Sequence, residues 1–144
     1  MEAGEGASAE VVLELGELVA EFFRSVSFAA GQRPSYDRLR PLFIDEGLLI
    51  KNSLDTPDVA SVEEFVVSRQ GLVDAGELTE FEEIESAEIT NVFGRVAHRF
   101  STYQKCGVQG GVAFQAKGMI TTQFILTPDG WRMTSMAWDD ERPV

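Results

Sequence analysis

Residues 95–105 read RVAHRFSTYQK, residues 112–127 read VAFQAKGMITTQFILT, and residues 131–141 read WRMTSMAWDDE. Each run is rich in β-branched, aromatic and other apolar side chains, which suit a pleated, half-buried surface. Between the second and third runs stands Pro128-Asp129-Gly130. Proline presets φ and glycine is free to take φ > 0, so these three residues are turn chemistry. Residues 94–141 are therefore read as three consecutive antiparallel strands, and the rest of the chain as packed around them.

Working backwards, residues 81–92 alternate less cleanly. Phe81, Glu83, Glu85, Ala87 and Ile89 share one parity, and Glu82, Ile84, Ser86, Glu88 and Thr90 the other. This predicts an edge strand whose acidic face discourages further pairing. Ser61-Val62-Glu63-Glu64 is a capping box opening a helix over residues 61–75, with Phe65, Val66, Leu72 and Val73 buried and Gly76 suited to its terminus. Residues 52–58 are read as a loop and Leu48-Leu49-Ile50 as a short buried strand. Upstream, Ser35 caps a short helix carrying Tyr36, Leu39 and Leu42. Residues 10–29 carry an apolar stripe of Val11, Leu15, Leu18, Val19, Phe22 and Val26, the spacing of an amphipathic helix. The order, helices early and antiparallel strands late, is an α+β pattern with helices on one face of a sheet.

The chain has 144 residues, so one domain over residues 9–144 is expected, with residues 1–8 as a disordered tail. With 24 acidic and 12 basic residues the net charge is −12, which argues against nucleic acid or anionic lipid as a partner. The single cysteine, Cys106, excludes an intrachain disulfide and fits a reducing compartment. No apolar run approaches the ~20 residues of a membrane span. The N-terminus lacks a basic signal region, so a cytoplasmic location is expected.

With its elements placed, the chain resembles the nuclear-transport-factor-2-like superfamily, which includes ketosteroid isomerases and polyketide-cyclase-like (SnoaL-type) proteins. Residues 40–45 (RPLFID), 96–103 (VAHRFSTY), 130–133 (GWRM) and 138–142 (WDDER) carry the resemblance, which covers residues 10–142. It implies three N-terminal helices on a strongly curved, mixed, mostly antiparallel sheet, cone-shaped and cystatin-like. It also implies a ligand cavity between the sheet and the helices, and often a homodimer through the convex sheet face. It does not imply a reaction.

By the same resemblance, strand parity turns Ala97, Arg99, Ser101 and Tyr103 toward the cavity, then Ile120, Thr122 and Phe124, then Met133, Ser135, Ala137 and Asp139. Phe22 on the first helix joins them. Arg99, Ser101, Tyr103, Thr122, Ser135, Asp139 and Phe22 are thus the expected ligand-binding residues. Arg99 either clamps a planar anion or pairs with Asp139 to neutralise two buried charges. The catalytic groups of the steroid isomerases are absent. Their base falls at Lys51, their protonated acid at Thr122, and their tyrosine near Phe22 or Phe23.

His98 is the lone histidine and cannot form a His-rich metal site, so neither metal nor other cofactor is expected. Residues 107–111 (GVQGG) lack the Walker lysine and read as a flexible hairpin tip or lid. Three functional readings follow. The first is a small-molecule-binding domain. The second is a cyclase, dehydratase or hydrolase with Asp139 or His98 as proton carrier and Tyr103 as donor. The third is an interaction module using Phe100, Met136 and Trp138 on the outer sheet face.

Overall fold

The computed structural model describes residues 5–142, with side chains from residue 9 onward. Helix α1 (Glu5–Val26) buries Leu15, Val19, Phe22, Phe23 and Val26 along the predicted stripe. It begins inside the stretch expected as a tail; residues 1–4 of that stretch lie outside the described residues. A 3₁₀ helix (Tyr36–Leu42) follows, with Tyr36, Leu39 and Leu42 buried, and leads into strand β1 (Phe43–Lys51). Gly47 kinks β1: a Cβ there would crowd the Phe43 ring and the Ile44 carbonyl at 3.0 Å.

Strand β2 (Asp58–Ser61), not expected from the sequence, begins at the last residue of the expected loop and pairs antiparallel with β1. Its last residue, Ser61, is also the N-cap of α2 (Val62–Asp74), and both halves of the capping box form. Three helical elements pack on the sheet, but they are not all N-terminal, because α2 comes after β1 and β2. Strands β3 (Leu78–Phe93), β4 (Val96–Gln109), β5 (Val112–Thr127) and β6 (Gly130–Asp140) complete a six-stranded sheet of order β2-β1-β6-β5-β4-β3. The sheet is mixed: β1 and β6 are parallel and every other pair is antiparallel. As expected, β3 is an edge strand. Long Glu side chains on it leave its free edge charged.

The hairpin tip at residues 107–111 is not a lid. Gly107 to Gln109 lie in β4, and only Gly110-Gly111 turns, with φ of 58° and 76° at its two glycines. Two residues at φ > 0 match the right-handed twist of the flanking strands, which makes the turn tight.

Of the register shifts in the sheet, two β-bulges, on β3 and β6, decide which of the expected site residues face the helices. On β3, Glu85 pairs with Tyr103 and Ala87 with Thr102, so Ser86 is an extra residue. On β6, Met133 pairs with Phe124 and Ser135 with Gln123, so Thr134 is extra. Each bulge reverses the inward parity of the strand beyond it. Met133 and Met136 are therefore both fully buried, and Trp138 and Asp140 follow them inward.

Candidate functional site

On β4 the expected parity holds: Arg99, Ser101 and Tyr103 are buried on the helix-facing side, as are Ile120, Thr122 and Phe124 on β5. These residues do not form one site. Arg99 lies beneath α1, where its guanidinium is 3.5 Å from the position a Cβ on Gly16 would take. Its Nε donates to Glu85 Oε2 at 3.0 Å, its Nη2 to Glu85 Oε1 at 2.7 Å, and its Nη1 to Thr90 Oγ1 at 3.1 Å. Ser101 donates to the same carboxylate at 2.6 Å. Burial alone would raise the Glu85 pKa, but the hydrogen bonds from Arg99 and Ser101 outweigh it and hold the carboxyl below its ordinary range. Arg99 is thus ion-paired, with Glu85 and not with Asp139.

Ser135 and Asp139 are turned to the opposite face by the bulge at Thr134, and Asp139 accepts from Arg142 Nη1 at 2.9 Å. His98 is exposed on that outer face, 2.9 Å from the Asn91 side-chain amide. Phe22 is core, packed edge-on against Phe23 at 5.6 Å. Thr122 is fully buried, and its hydroxyl has no hydrogen-bond partner among the described residues. The same bulge removes Met136 and Trp138 from the outer face, leaving Phe100 of the expected interaction set exposed.

Tyr103 is the expected site residue that reaches the deeper chemistry. Its hydroxyl donates to Asp140 Oδ1, and Lys105 Nζ sits 3.0 Å from the same oxygen and 5.2 Å from the Tyr103 ring. Burial, followed by the hydrogen bond to Asp140, raises the phenol pKa. Asp140 is itself held below the ordinary carboxylate range, since the bonds from Tyr103 and Lys105 outweigh its burial. Gly118 makes the arrangement possible, because a Cβ there would overlap the Tyr103 hydroxyl.

Lys105 and Asp140 of this triad line a hollow of about 490 Å³ between α2 and the sheet. Its walls are Leu49, Phe65, Leu78, Phe81, Phe114 and Trp138, and Lys51, Arg69, Lys105 and Asp140 supply charge. Apolar walls with a few convergent polar groups are the composition of a ligand pocket, and the size falls in the usual range. Phe65 meets Trp138 edge-on at 6.4 Å, and Phe81 meets Phe114 at 6.2 Å. Gly107 leaves room for the Phe114 ring, since a Cβ there would crowd it at 2.9 Å. Arg69 sits over both aromatic sets, 5.0 Å from the Phe65 ring and 5.6 Å from the Phe81 ring.

Further along the inward row of β3 stands Glu83, half-buried, whose carboxyl makes no hydrogen bond or ion pair among the described residues. Burial pushes its pKa up to about 7, against the opposing charges of Lys105 and Arg69. Among the described residues, no group of three or more His, Cys, Asp or Glu is positioned for a metal ion.

Sequence reasoning missed Arg69, Lys105, Asp140 and Glu83. Lys105 was legible, being the next inward position after Tyr103. Arg69 was legible as the residue one helical turn beyond Phe65. Asp140 was hidden by the bulge.

No protein-family model matches the chain, and no curated protein matches it by sequence. Solved structures do match. A nuclear-transport-factor-2-like superfamily protein from Salmonella enterica serovar Typhimurium superimposes with a TM-score of 0.77 at 15% identity, covering 94% of each chain. A protein from Kribbella flavida gives 0.77 at 14% identity, covering 93% of each chain. A candidate dehydratase of that family from Streptomyces avermitilis gives 0.72 at 18% identity, covering 94% of this chain and 99% of its own. Similarity over almost the entire length at such low identity is a statement about architecture. The chain has the nuclear-transport-factor-2-like fold.

Proposed function

We propose that this protein is a small-molecule-binding domain whose ligand occupies the hollow beneath α2, toward the mouth of a cone-shaped sheet. The observation that carries this reading is the joining of about 490 Å³ of apolar-walled space to an arginine with no carboxylate partner among the described residues. The neutral fluorescent probe N-phenyl-1-naphthylamine tests it. Saturable one-to-one binding is expected, weakened ~tenfold or more when Ala60→Trp fills the hollow of a still-folded protein. No saturable binding, or binding undiminished in the filled variant, would refute the reading.

A second reading is favoured by Glu83. In an enzyme of the cyclase, dehydratase or hydrolase kind, a half-buried carboxyl poised near neutrality suits a proton carrier better than Asp139 or His98, which face away. Glu83→Gln would then abolish turnover of a bound substrate while leaving its affinity unchanged.

For quaternary structure, a homodimer through the outer sheet face is supported by Ile89, Phe93, Val96, Phe100 and Met119. All are exposed, and Ile89-Phe100 and Phe93-Val96 are directly cross-paired. Phe100→Glu should convert the dimer to a monomer in light scattering; a wild-type monomer would remove the proposal. No helix is long and apolar enough to cross a membrane.

A further inference from the structure

We infer that Arg69 is a carboxylate clamp and that the hollow takes a flat aromatic acid. This deepens the binding reading above and rests on it. Six arginines, at positions 24, 33, 38, 40, 99 and 142, make ion pairs. Arg69 makes none among the described residues, in a chain with 24 acidic side chains. Instead, Phe65 and Phe81 hold its guanidinium beside the buried Tyr36 hydroxyl, a neutral group, and an aromatic face attracts the charge without satisfying the N–H donors at its edge. A guanidinium presents a planar fork that matches a carboxylate through two parallel hydrogen bonds.

The acids lining the hollow are already committed or remote. Asp140 is held by Tyr103 and Lys105. Glu64 accepts from the Ser61 backbone at 2.9 Å in the helix cap, and Asp58 is exposed. Lys51 also lines the hollow and makes no ion pair among the described residues. The uncommitted interior charge is therefore positive, although the protein carries −12 overall. Glu83 lies within the electrostatic reach of Arg69 and Lys105, and below neutral pH its proton keeps it from competing with a bound anion. Paired rings on opposite walls, Phe65 with Trp138 and Phe81 with Phe114, favour a flat aromatic body over a branched aliphatic one.

Calorimetric titration at pH 6 with 2-naphthylacetate and its neutral isostere 2-naphthylacetamide tests the inference. The acid should bind ~tenfold or more tightly than the amide, a gap reduced to within about twofold in Arg69→Gln and partly kept in Arg69→Lys. The amide's own affinity should be nearly unchanged in both variants. Equal binding of acid and amide to the wild type, or a gap that survives Arg69→Gln, overturns the clamp. If neither naphthyl compound binds while N-phenyl-1-naphthylamine does, the clamp alone is wrong. If all three fail, the binding reading falls with it.

Discussion

Two arginines enter the helix-facing side of this sheet, and their surroundings differ. Arg99, under α1, meets a bidentate carboxylate, a threonine hydroxyl and a second glutamate, Glu88, at 3.5 Å. Arg69, on α2, meets two aromatic rings, the nearby hydroxyl of buried Tyr36 and the hollow, with no carboxylate partner among the described residues. A buried charge whose donors are filled by its own protein is a structural device. It costs desolvation, which its partners offset, and it has nothing left for a ligand. A charge held in place by rings and a neutral hydroxyl, without a carboxylate, has not been neutralised by its own protein. The contrast is between a charge at the α1 end that is satisfied within the protein and a charge at the α2 end that has no carboxylate partner among the described residues.

The comparison breaks most visibly at Glu85. Removing this carboxylate in Glu85→Ala strands Arg99 with Glu88 as its remaining acid, and the expected loss is about 3–5 kcal/mol in urea unfolding. A loss below about 1 kcal/mol would mean that the α1 end is no better saturated than the α2 end.

Glu83 sharpens the comparison through pH. Its folded pKa, about 7, lies above the ordinary 4.5, so the native state holds the proton more tightly than the unfolded chain does. Stability from this group is therefore greatest below pH 4.5 and falls as pH rises through the window to about 7, remaining flat above it. At about 1.4 kcal/mol per pH unit the cost at pH 8 is at most about 3.5 kcal/mol. Glu83→Gln should recover up to that amount at pH 8 and almost nothing at pH 4, as read from paired unfolding curves. Equal effects at both values would show that the carboxyl is well solvated.

Gly118→Ala probes the support of the Tyr103-Asp140-Lys105 triad. The added methyl overlaps both the Asp139 backbone carbonyl of β6 and the phenol, and a loss of about 1–3 kcal/mol or more is expected, with a shift in tyrosine absorbance. The smallest effect belongs to Arg69→Gln, whose stability should stay within about 1 kcal/mol of wild type because no ion pair is lost, and the amide can still face the Tyr36 hydroxyl. A loss comparable to that of Glu85→Ala would erase the distinction between the two arginines.

Much of this was readable from residues alone. The stripe of α1, the capping box of α2 and the long β-runs of β4, β5 and β6 are local patterns, and all of them formed. Inward parity was correct for Arg99, Ser101, Tyr103 and Thr122, because β4 and β5 pair without interruption in register. It failed for Ser135 and Asp139, because Thr134 is an extra residue on β6.

Taken by itself, the order of amino acids determined the long helices and strands and the α+β class, since 3.6- and 2-residue periodicities depend only on near neighbours; the four-residue β2 is too short to show one. Tertiary structure alone decided the two bulges, the choice of Glu85 as the partner of Arg99, and the freedom of Arg69. Those depend on how distant strands align, and a slip of one residue in that alignment moves a side chain from one face of the sheet to the other.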